Sequence, residues 1–199
     1  VGDDNGFRDI FLFDATLDTL ELVSGGLSGA DANNESRTPS ISDDGRFVTF
    51  LSLATNLVAG DTNGFLDVFV YDRDLDSTER VSLTDVGGQI TDGHSGSALI
   101  SGDGRYVTYS SEGTDVMSGG DLNSDDTDIF VFDRDLDTTE RVTENTLGVQ
   151  ADNSSDNPTI TPDGRYVTFI SVASNLVTGD TNGEYDVFVR DRNTDSTEI

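Results

Sequence analysis

A repeat of about 59 residues is the feature that most constrains the fold of this chain. The tripeptide Asp-Gly-Arg occurs at 44–46, 103–105 and 163–165, so its spacings are 59 and 60 residues. The string Asp-Thr-Asn-Gly and its relatives occur at 3–6, 61–64, 121–124 and 180–183. Independent landmarks with a common period indicate a repeat architecture, in which each unit buries its apolar surface against its neighbours.

Each unit alternates short strand-like segments with turns. Residues 38–42 read as an extended segment, and Asp-Gly in 43–45 favours the positive φ of a hairpin turn. Residues 46–52 and 67–72 are rich in β-branched and aromatic side chains, and 78–82 form a returning segment. The unit therefore predicts four antiparallel strands.

The predicted fold class is all-β, with tandem four-stranded blades of a β-propeller. No segment has an apolar period of 3.6 residues long enough for a helix, and four short strands per repeat are typical of propeller blades. We expect one repeat domain made of a half blade with the last two strands at 1–27 and blades at 28–86, 87–146 and 147–199. We further expect the domain to belong to a longer chain or an assembly.

The motifs of the last repeat resemble a known family. Residues 158–169 are similar to the Ser-Pro-Asp-Gly-Arg signature of TolB-like, PD40-type (WD40-like) propeller repeats. Residues 174–192, with Asp-Thr-Asn-Gly followed by Asp-Val-Phe-Val, resemble a bacterial subgroup of mostly extracellular or cell-envelope proteins. The resemblance implies the propeller fold and says little about function, because one fold hosts many roles.

The chain is strongly acidic, with 39 acidic residues against 11 arginines and a net charge of −28. Such a charge disfavours binding to nucleic acid or anionic lipid and attracts cations. Of the acids 31 are Asp, which suits turns and metal loops. A salt-tolerant surface and divalent-metal binding both explain the acidity. The absence of Cys excludes disulfides, and no apolar run is long enough to insert into a membrane.

The Asp-Thr-Asn-Gly segments predict calcium sites. In the second copy, Asp61 and Asn63 lie on alternate residues of a tight loop, the Phe65 carbonyl adds an oxygen, and Asp67 heads the next strand. Calcium prefers six to eight oxygen ligands of these types. The predicted metal ligands in the four copies are Asp3, Asn5 and Asp9; Asp61, Asn63 and Asp67; Asp121, Asn123, Asp125 and Asp128; and Asp180, Asn182 and Asp186.

A metal-free interpretation of these loops stays open, because Asp and Asn also build Asx turns and satisfy backbone N–H groups. Magnesium fits less well, since it prefers a rigid octahedron with retained waters. Zinc fits poorly, because Cys is absent and His94 is the one histidine.

Other motifs predict structural roles. We expect His94 to be a surface loop residue rather than a base for Ser95, because no second histidine exists for a relay. We expect Arg46, Arg105 and Arg165 to pair with acids of a neighbouring blade, such as Asp72. Arg80 and Arg141 are expected to do the same.

These patterns favour a non-catalytic protein with no cofactor besides Ca2+. We expect a calcium-stabilised extracellular or cell-surface structural or adhesive repeat protein, which assembles head to tail with other copies through open blade edges. The alternative is a ligand-binding propeller module of a cell-envelope protein, with a glycan or protein partner held by its loops.

Overall fold

The computed structural model describes residues 4–124 and 126–199. The predicted ligands Asp3 and Asp125 therefore lie outside the described residues. Within them the chain forms fourteen β-strands and one short 3-10 helix, Leu27–Gly29.

The first seven strands are β1 (Phe11–Asp14), β2 (Thr19–Leu22), β3 (Ser36–Ile41), β4 (Phe47–Ser52), β5 (Asp67–Asp72), β6 (Ser77–Arg80) and β7 (Ser95–Ile100). The next seven are β8 (Tyr106–Ser111), β9 (Asp128–Asp133), β10 (Thr138–Arg141), β11 (Ser155–Ile160), β12 (Tyr166–Ser171), β13 (Asp186–Asp191) and β14 (Ser196–Glu198).

The strands form four antiparallel sheets in chain order. The first sheet is the hairpin of β1 and β2, and the second, third and fourth sheets contain β3–β6, β7–β10 and β11–β14. Within each sheet, every strand pairs with its neighbours in chain order, so the chain passes from one strand to the adjacent one without a crossover. The prediction of an all-β fold with four antiparallel strands per repeat is confirmed.

The core lies between successive sheets. Every residue of β5 and of β9 is buried, because the second and third sheets are covered on both faces. Within each of the last three sheets two aromatic rings stack in the core, with the Phe50 and Phe69 centroids 5.8 Å apart. The alternating apolar residues of both faces are therefore core residues, as the strand pattern predicts.

The first strand of each four-stranded sheet carries a bulge. The pairing of β3 with β4 shifts between Arg37 and Ser40, and Thr38 in this gap has a φ of 49°. Ser97 and Asn157 repeat this conformation in β7 and β11, with φ values of 45° and 51°. A bulge adds one residue to the strand and bends it, so the three sheets begin with the same local distortion.

An arginine clamp joins the third sheet to the second. The guanidinium of Arg134 lies 4.1 Å from the ring centroid of Phe47. It also donates hydrogen bonds of 2.6 Å each to Glu79 and to the carbonyl of Gly104. Stacking on an aromatic face together with charge-assisted hydrogen bonds suits arginine better than lysine.

The same clamp recurs one repeat later. Arg192 lies 4.3 Å from the ring centroid of Tyr106 and donates to Glu140 and to the Gly164 carbonyl. Arg73 reaches the first sheet through Glu21, at 3.0 Å. These cross-sheet bonds join residues 52 or 55 positions apart in the chain, a little less than one repeat.

The arginines of the Asp-Gly-Arg turns pair differently from the prediction. Arg46 donates to both carboxylate oxygens of Asp72, at 2.9 and 2.7 Å, and both residues belong to the second sheet. Arg105 with Asp133 and Arg165 with Asp191 repeat this pair. The ion pairs exist, but the expected neighbouring-blade partner was wrong, because the turn before β4 lies beside the end of β5, its own hairpin partner.

In the part of the chain that the structure describes, no helix is long and apolar enough to cross a membrane.

Glycine is required where the clamp closes. Gly104 has a φ of 76°, and a Cβ at this position would overlap the Phe47 ring. We expect Gly104→Ala to lower the free energy of unfolding by about 1–3 kcal/mol more than Gly87→Ala, because strain and overlap add. Gly87 has a similar φ of 78° with open space around it. Equal losses for the two variants in urea unfolding would show that the contact with Phe47 carries no weight.

Candidate functional site

The four predicted loops occupy equivalent places in the four sheets. The first loop (3–9, described from residue 4), second loop (61–67), third loop (121–128, described except for residue 125) and fourth loop (180–186) each end on an aspartate. Asp67, Asp128 and Asp186 are the first residues of β5, β9 and β13, and Asp9 lies two residues before β1. In the first three loops this aspartate accepts a 2.6 Å hydrogen bond from a hydroxyl of the adjacent strand region. The pairs are Asp9 with Ser24, Asp67 with Ser82, and Asp128 with Thr143.

The loop asparagine forms an Asx turn. Asn63 accepts from the Phe65 N–H at 2.9 Å through Oδ1, and its amide donates to Asp67 at 2.9 Å and to the Ile90 carbonyl at 3.0 Å. Asn5 and Asn182 make the same bonds to their own loops. These are the contacts of the metal-free interpretation, and they hold the loop oxygens close to the strand head.

The second loop brings two carboxylates together at a buried position. Asp61 is 8 % exposed and Asp67 is 1 % exposed. Arg80 Nη1 lies 3.3 Å from Asp61 Oδ1 and 3.8 Å from Asp67 Oδ2. Asp61 Oδ1 has no hydrogen-bond partner among the described residues, so its charge is met by proximity to the guanidinium and not by a hydrogen bond.

The third loop surrounds an amide nitrogen. Gln150 Nε2 donates to Asp121 Oδ1, to Asn123 Oδ1 at 2.6 Å and to Asp128 Oδ2 at 3.0 Å. Arg141 also lies close to this aspartate, with Nε 3.4 Å from Asp128 Oδ2. Three loop oxygens therefore converge on one point.

The buried carboxylates resist ionisation. Burial raises the pKa of Asp61, and the nearby charge of Asp67 raises it further. Burial also raises the pKa of Asp67, against the hydrogen bonds from Ser82 and Asn63. In the third loop burial raises the pKa of Asp128 to about 6. The surrounding groups thus leave these anions only partly compensated, which is the condition a bound cation relieves.

The first and fourth loops are more open. Asn182 is exposed and Asp186 is half-buried, and a cleft of about 270 Å³ is lined by Asp180, Asn182, Asp186 and Ile199. In the first loop Asn5 and Asp9 are half-buried and 2.9 Å apart.

The ligand atoms available at these loops determine which cation could bind. In residues 4–124 and 126–199, no three His, Cys, Asp or Glu side chains lie together as a ready metal cluster. A metal ion at the second loop would therefore take two carboxylates, with the Asn63 amide, the Gln89 amide or backbone carbonyls as further oxygens. An oxygen set with few charges suits calcium at modest affinity and does not suit zinc.

The sequence prediction missed the residues that face the loops. Arg80 with Gln89, and Arg141 with Gln150, form hydrogen bonds of 3.1 and 2.7 Å beside the second and third loops. A signal was available, because both pairs have the same spacing of nine residues. The expectation of structural pairs between blades for Arg80 and Arg141 leaves this spacing unexplained.

His94 and Ser95 do not form a catalytic pair. His94 is exposed, and its Nδ1 accepts a 2.9 Å hydrogen bond from the Leu66 N–H. The Ser95 hydroxyl donates to Ser111 at 3.2 Å. The two side chains are therefore engaged with different groups.

The fold is that of known β-propellers. TolB from Acinetobacter baumannii superposes with a TM-score of 0.54 and 20 % identity, over 96 % of this chain and 37 % of that chain. A putative TolB from Agrobacterium tumefaciens superposes with a TM-score of 0.59 and 18 % identity, over 98 % of this chain and 57 % of that chain. The β-propeller domain of the Trilobed protease from Pyrococcus furiosus superposes with a TM-score of 0.50 and 11 % identity, over 82 % of this chain and 41 % of that chain.

These similarities confirm the predicted TolB-like propeller fold, and at such identities they establish the fold alone. The chain spans 37 % and 57 % of the lengths of the two TolB chains. The sequence matches no protein-family model and no curated protein. Membership of the extracellular repeat subgroup stays a prediction.

The raised pKa of Asp128 is open to direct measurement. In chelator, we expect the Asp128 carboxyl carbon to titrate near pH 6 by NMR, above the ordinary pKa of 3.8, because its burial disfavours the anion. Since the folded pKa is the higher one, this group stabilises the metal-free fold at low pH. That stabilisation is lost as the pH rises from about 4 to about 6.

Asp133 provides the internal control for this titration. The hydrogen bonds from Arg105 lower its pKa although burial opposes them, so Asp133 should titrate below 3.8 in the same spectra. A midpoint for Asp128 at or below that of Asp133 would contradict the burial argument.

Proposed function

We propose that this chain is a non-catalytic, calcium-stabilised repeat protein of the cell exterior, with a structural or adhesive role. Ca2+ binds the second loop and its equivalents, neutralises the clustered aspartates and holds each loop against the strand that it precedes. A ligand that binds only the folded state stabilises that state by mass action.

One observation carries this proposal. Asp61 and Asp67 are both buried beside a single arginine, and Asp61 Oδ1 has no hydrogen-bond partner in the described part of the chain. Two buried anions and one cation leave a net negative charge, which is costly away from water. A divalent cation bound by the same oxygens removes that cost.

The extracellular assignment rests on affinity and charge. Sites with few charged ligands bind calcium with dissociation constants of about 10⁻⁴ to 10⁻³ M in extracellular modules. Such sites would fill outside cells and stay empty at cytosolic calcium. A net charge of −28 also keeps a protein soluble and attracts counterions.

The non-catalytic assignment rests on the side chains themselves. His94 and Ser95 are engaged with separate partners. The loop carboxylates are held by hydroxyl, amide and guanidinium groups in repeated, equivalent positions. Repetition of the aspartate–hydroxyl contact in three successive units suits a structural role better than a single reaction centre.

Thermal unfolding tests the calcium proposal. A calcium concentration about 100-fold above the dissociation constant stabilises by about 2.7 kcal/mol per site. For a chain of 199 residues we expect the melting temperature to rise by about 5–10 °C per site. Magnesium at the same ionic strength should give a much smaller rise, since it dehydrates reluctantly and demands an octahedral site.

Variants of the ligands supply the control. We expect Asp61→Asn with Asp67→Asn to remove part of the calcium response, and Asp180→Asn with Asp186→Asn to remove another part. Asp18→Asn, at an exposed turn, should leave the response intact. Equal melting of the native protein in calcium, magnesium and chelator would overturn the calcium proposal and leave the loops as metal-free turns.

Head-to-tail assembly is the second element of the proposal. Val187 on β13 is 61 % exposed, whereas its equivalents Val68 and Ile129 are fully buried by the next sheet. Phe11 on β1 is 38 % exposed, whereas its equivalent Phe69 is buried. Because successive repeats already pack in this way, the outer face of the fourth sheet and the first sheet of another copy offer matching surfaces.

Sedimentation velocity tests this assembly. We expect reversible, concentration-dependent growth in calcium, and Val187→Asp should weaken it about tenfold or more by placing a charge on the apolar face. Val86→Asp is the matched control, because Val86 lies in an exposed turn. A monodisperse native protein that binds a glycan or protein partner would favour the ligand-binding alternative.

A further inference from the structure

An arginine lies on the strand beside the second loop and beside the third loop, where the first loop has a leucine. In the sheet register Arg80 lies opposite Phe69, Arg141 opposite Phe130 and Leu22 opposite Phe11. Each of these phenylalanines lies two residues after the last aspartate of its loop. The three positions are therefore equivalent, and only two of them hold a positive charge.

The guanidinium of Arg80 occupies the point where the oxygens of the second loop converge. Nη1 lies 3.1 Å from Gln89 Oε1, 3.3 Å from Asp61 Oδ1 and 3.8 Å from Asp67 Oδ2. The Arg80 side chain is 10 % exposed, so this charge is held inside the site and does not extend into solvent.

Arg80 fits this oxygen set poorly. Arginine binds carboxylates best through two parallel hydrogen bonds, as Arg46 does with Asp72. At the second loop, Arg80 Nε and Asp61 Oδ1 both lack a hydrogen-bond partner among the described residues. The arrangement supplies positive charge to the loop without the fork geometry of a dedicated ion pair.

The third loop has the same elements in a different order. Arg141 donates to Gln150 Oε1 at 2.7 Å and to the Gly120 carbonyl at 3.2 Å. The Gln150 amide then donates to the loop oxygens of Asp121, Asn123 and Asp128. Here the arginine approaches Asp128 and positions the amide that faces the other ligands.

At the equivalent positions of the other two loops, the described residues hold no such cation. At the first loop the asparagine amide donates to the Ala32 carbonyl, where the second loop uses Ile90. Asp31 therefore takes the place of Gln89, and Leu22 that of Arg80. At the fourth loop Ile199 follows Glu198, which pairs with Val189 as Glu79 pairs with Val70. Ile199 lines the cleft with Asp180, Asn182 and Asp186.

We propose that Arg80 and Arg141 are built-in competing cations that set the calcium affinity of the second and third loops. They keep these loops folded without metal and weaken calcium binding there, because the ion must displace the guanidinium or share its oxygens. The first and fourth loops have Leu22 and Ile199 at the equivalent position and depend on calcium more strongly. This inference rests on the proposed calcium function and specifies its regulation.

Calcium titration of arginine variants tests the inference. For Arg80→Gln, we expect a lower melting temperature in chelator and a calcium dissociation constant at the second loop about tenfold or more below that of the native protein. Arg80→Lys keeps the charge and should remain close to the native protein in both measurements. Isothermal titration calorimetry and thermal melts with calcium alone give the two readouts.

Leu22→Arg provides a reciprocal variant at a half-buried position. In native mass spectrometry at a fixed calcium concentration, this variant should bind one calcium ion fewer than the native protein or bind it more weakly. This variant keeps the inference testable if Arg80→Gln fails to fold.

The outcomes separate the two proposals. If the native protein binds calcium but Arg80→Gln and Leu22→Arg leave its binding unchanged, the arginine inference is wrong and the calcium function stands. If the native protein shows no calcium response and Arg80→Gln gains one, the native calcium function and the calcium dependence of the first and fourth loops are wrong, and only the competition of Arg80 at the second loop stands. Absence of calcium binding in every variant overturns both.

Discussion

Coverage of each sheet by its neighbours is the constraint on which the rest of the structure depends. A sheet that is apolar on both faces needs a neighbour on each face to bury them. The second and third sheets meet this condition, since every residue of their strands β5 and β9 is buried. The arginine clamps then fix how one sheet lies on the next, since Arg134 and Arg192 each combine an aromatic contact with hydrogen bonds across the interface. Loop geometry follows from this packing.

The loops place charge where packing would otherwise exclude it. Asp67 and Asp128 lie at the head of buried strands and are themselves buried, so each needs compensation. Hydroxyls from Ser82 and Thr143 provide part of it, and the arginines beside the loops provide more. The raised pKa of Asp128 shows that compensation is incomplete. The proposed calcium binding at these loops would supply the missing positive charge.

Most of the fold could be predicted from the sequence, because period and strand pattern are local signals. The turn at Asp44 and Gly45 and the strand at 67–72 were visible in the residues alone. The partner of Arg46 was not, because the choice between its own sheet and a neighbour depends on three-dimensional register. The position of Arg80 beside the second loop could not be predicted for the same reason, since Arg80 lies on β6 and the loop precedes β5. Asp61 and Asp67 both lie beside Arg80, and calcium at that position stays a prediction.

The cross-sheet contacts also bear on how such a chain changes length. Arg73 with Glu21 and Arg134 with Glu79 join residues 52 and 55 positions apart. Because these separations depend on the repeat and not on the size of the protein, duplicating one whole unit would recreate each contact at the new junction. The mean sequence separation of contacts would stay nearly constant, so each added unit would fold through contacts as local as those of the units before it. Gene duplication can therefore lengthen this architecture without redesign of any interface.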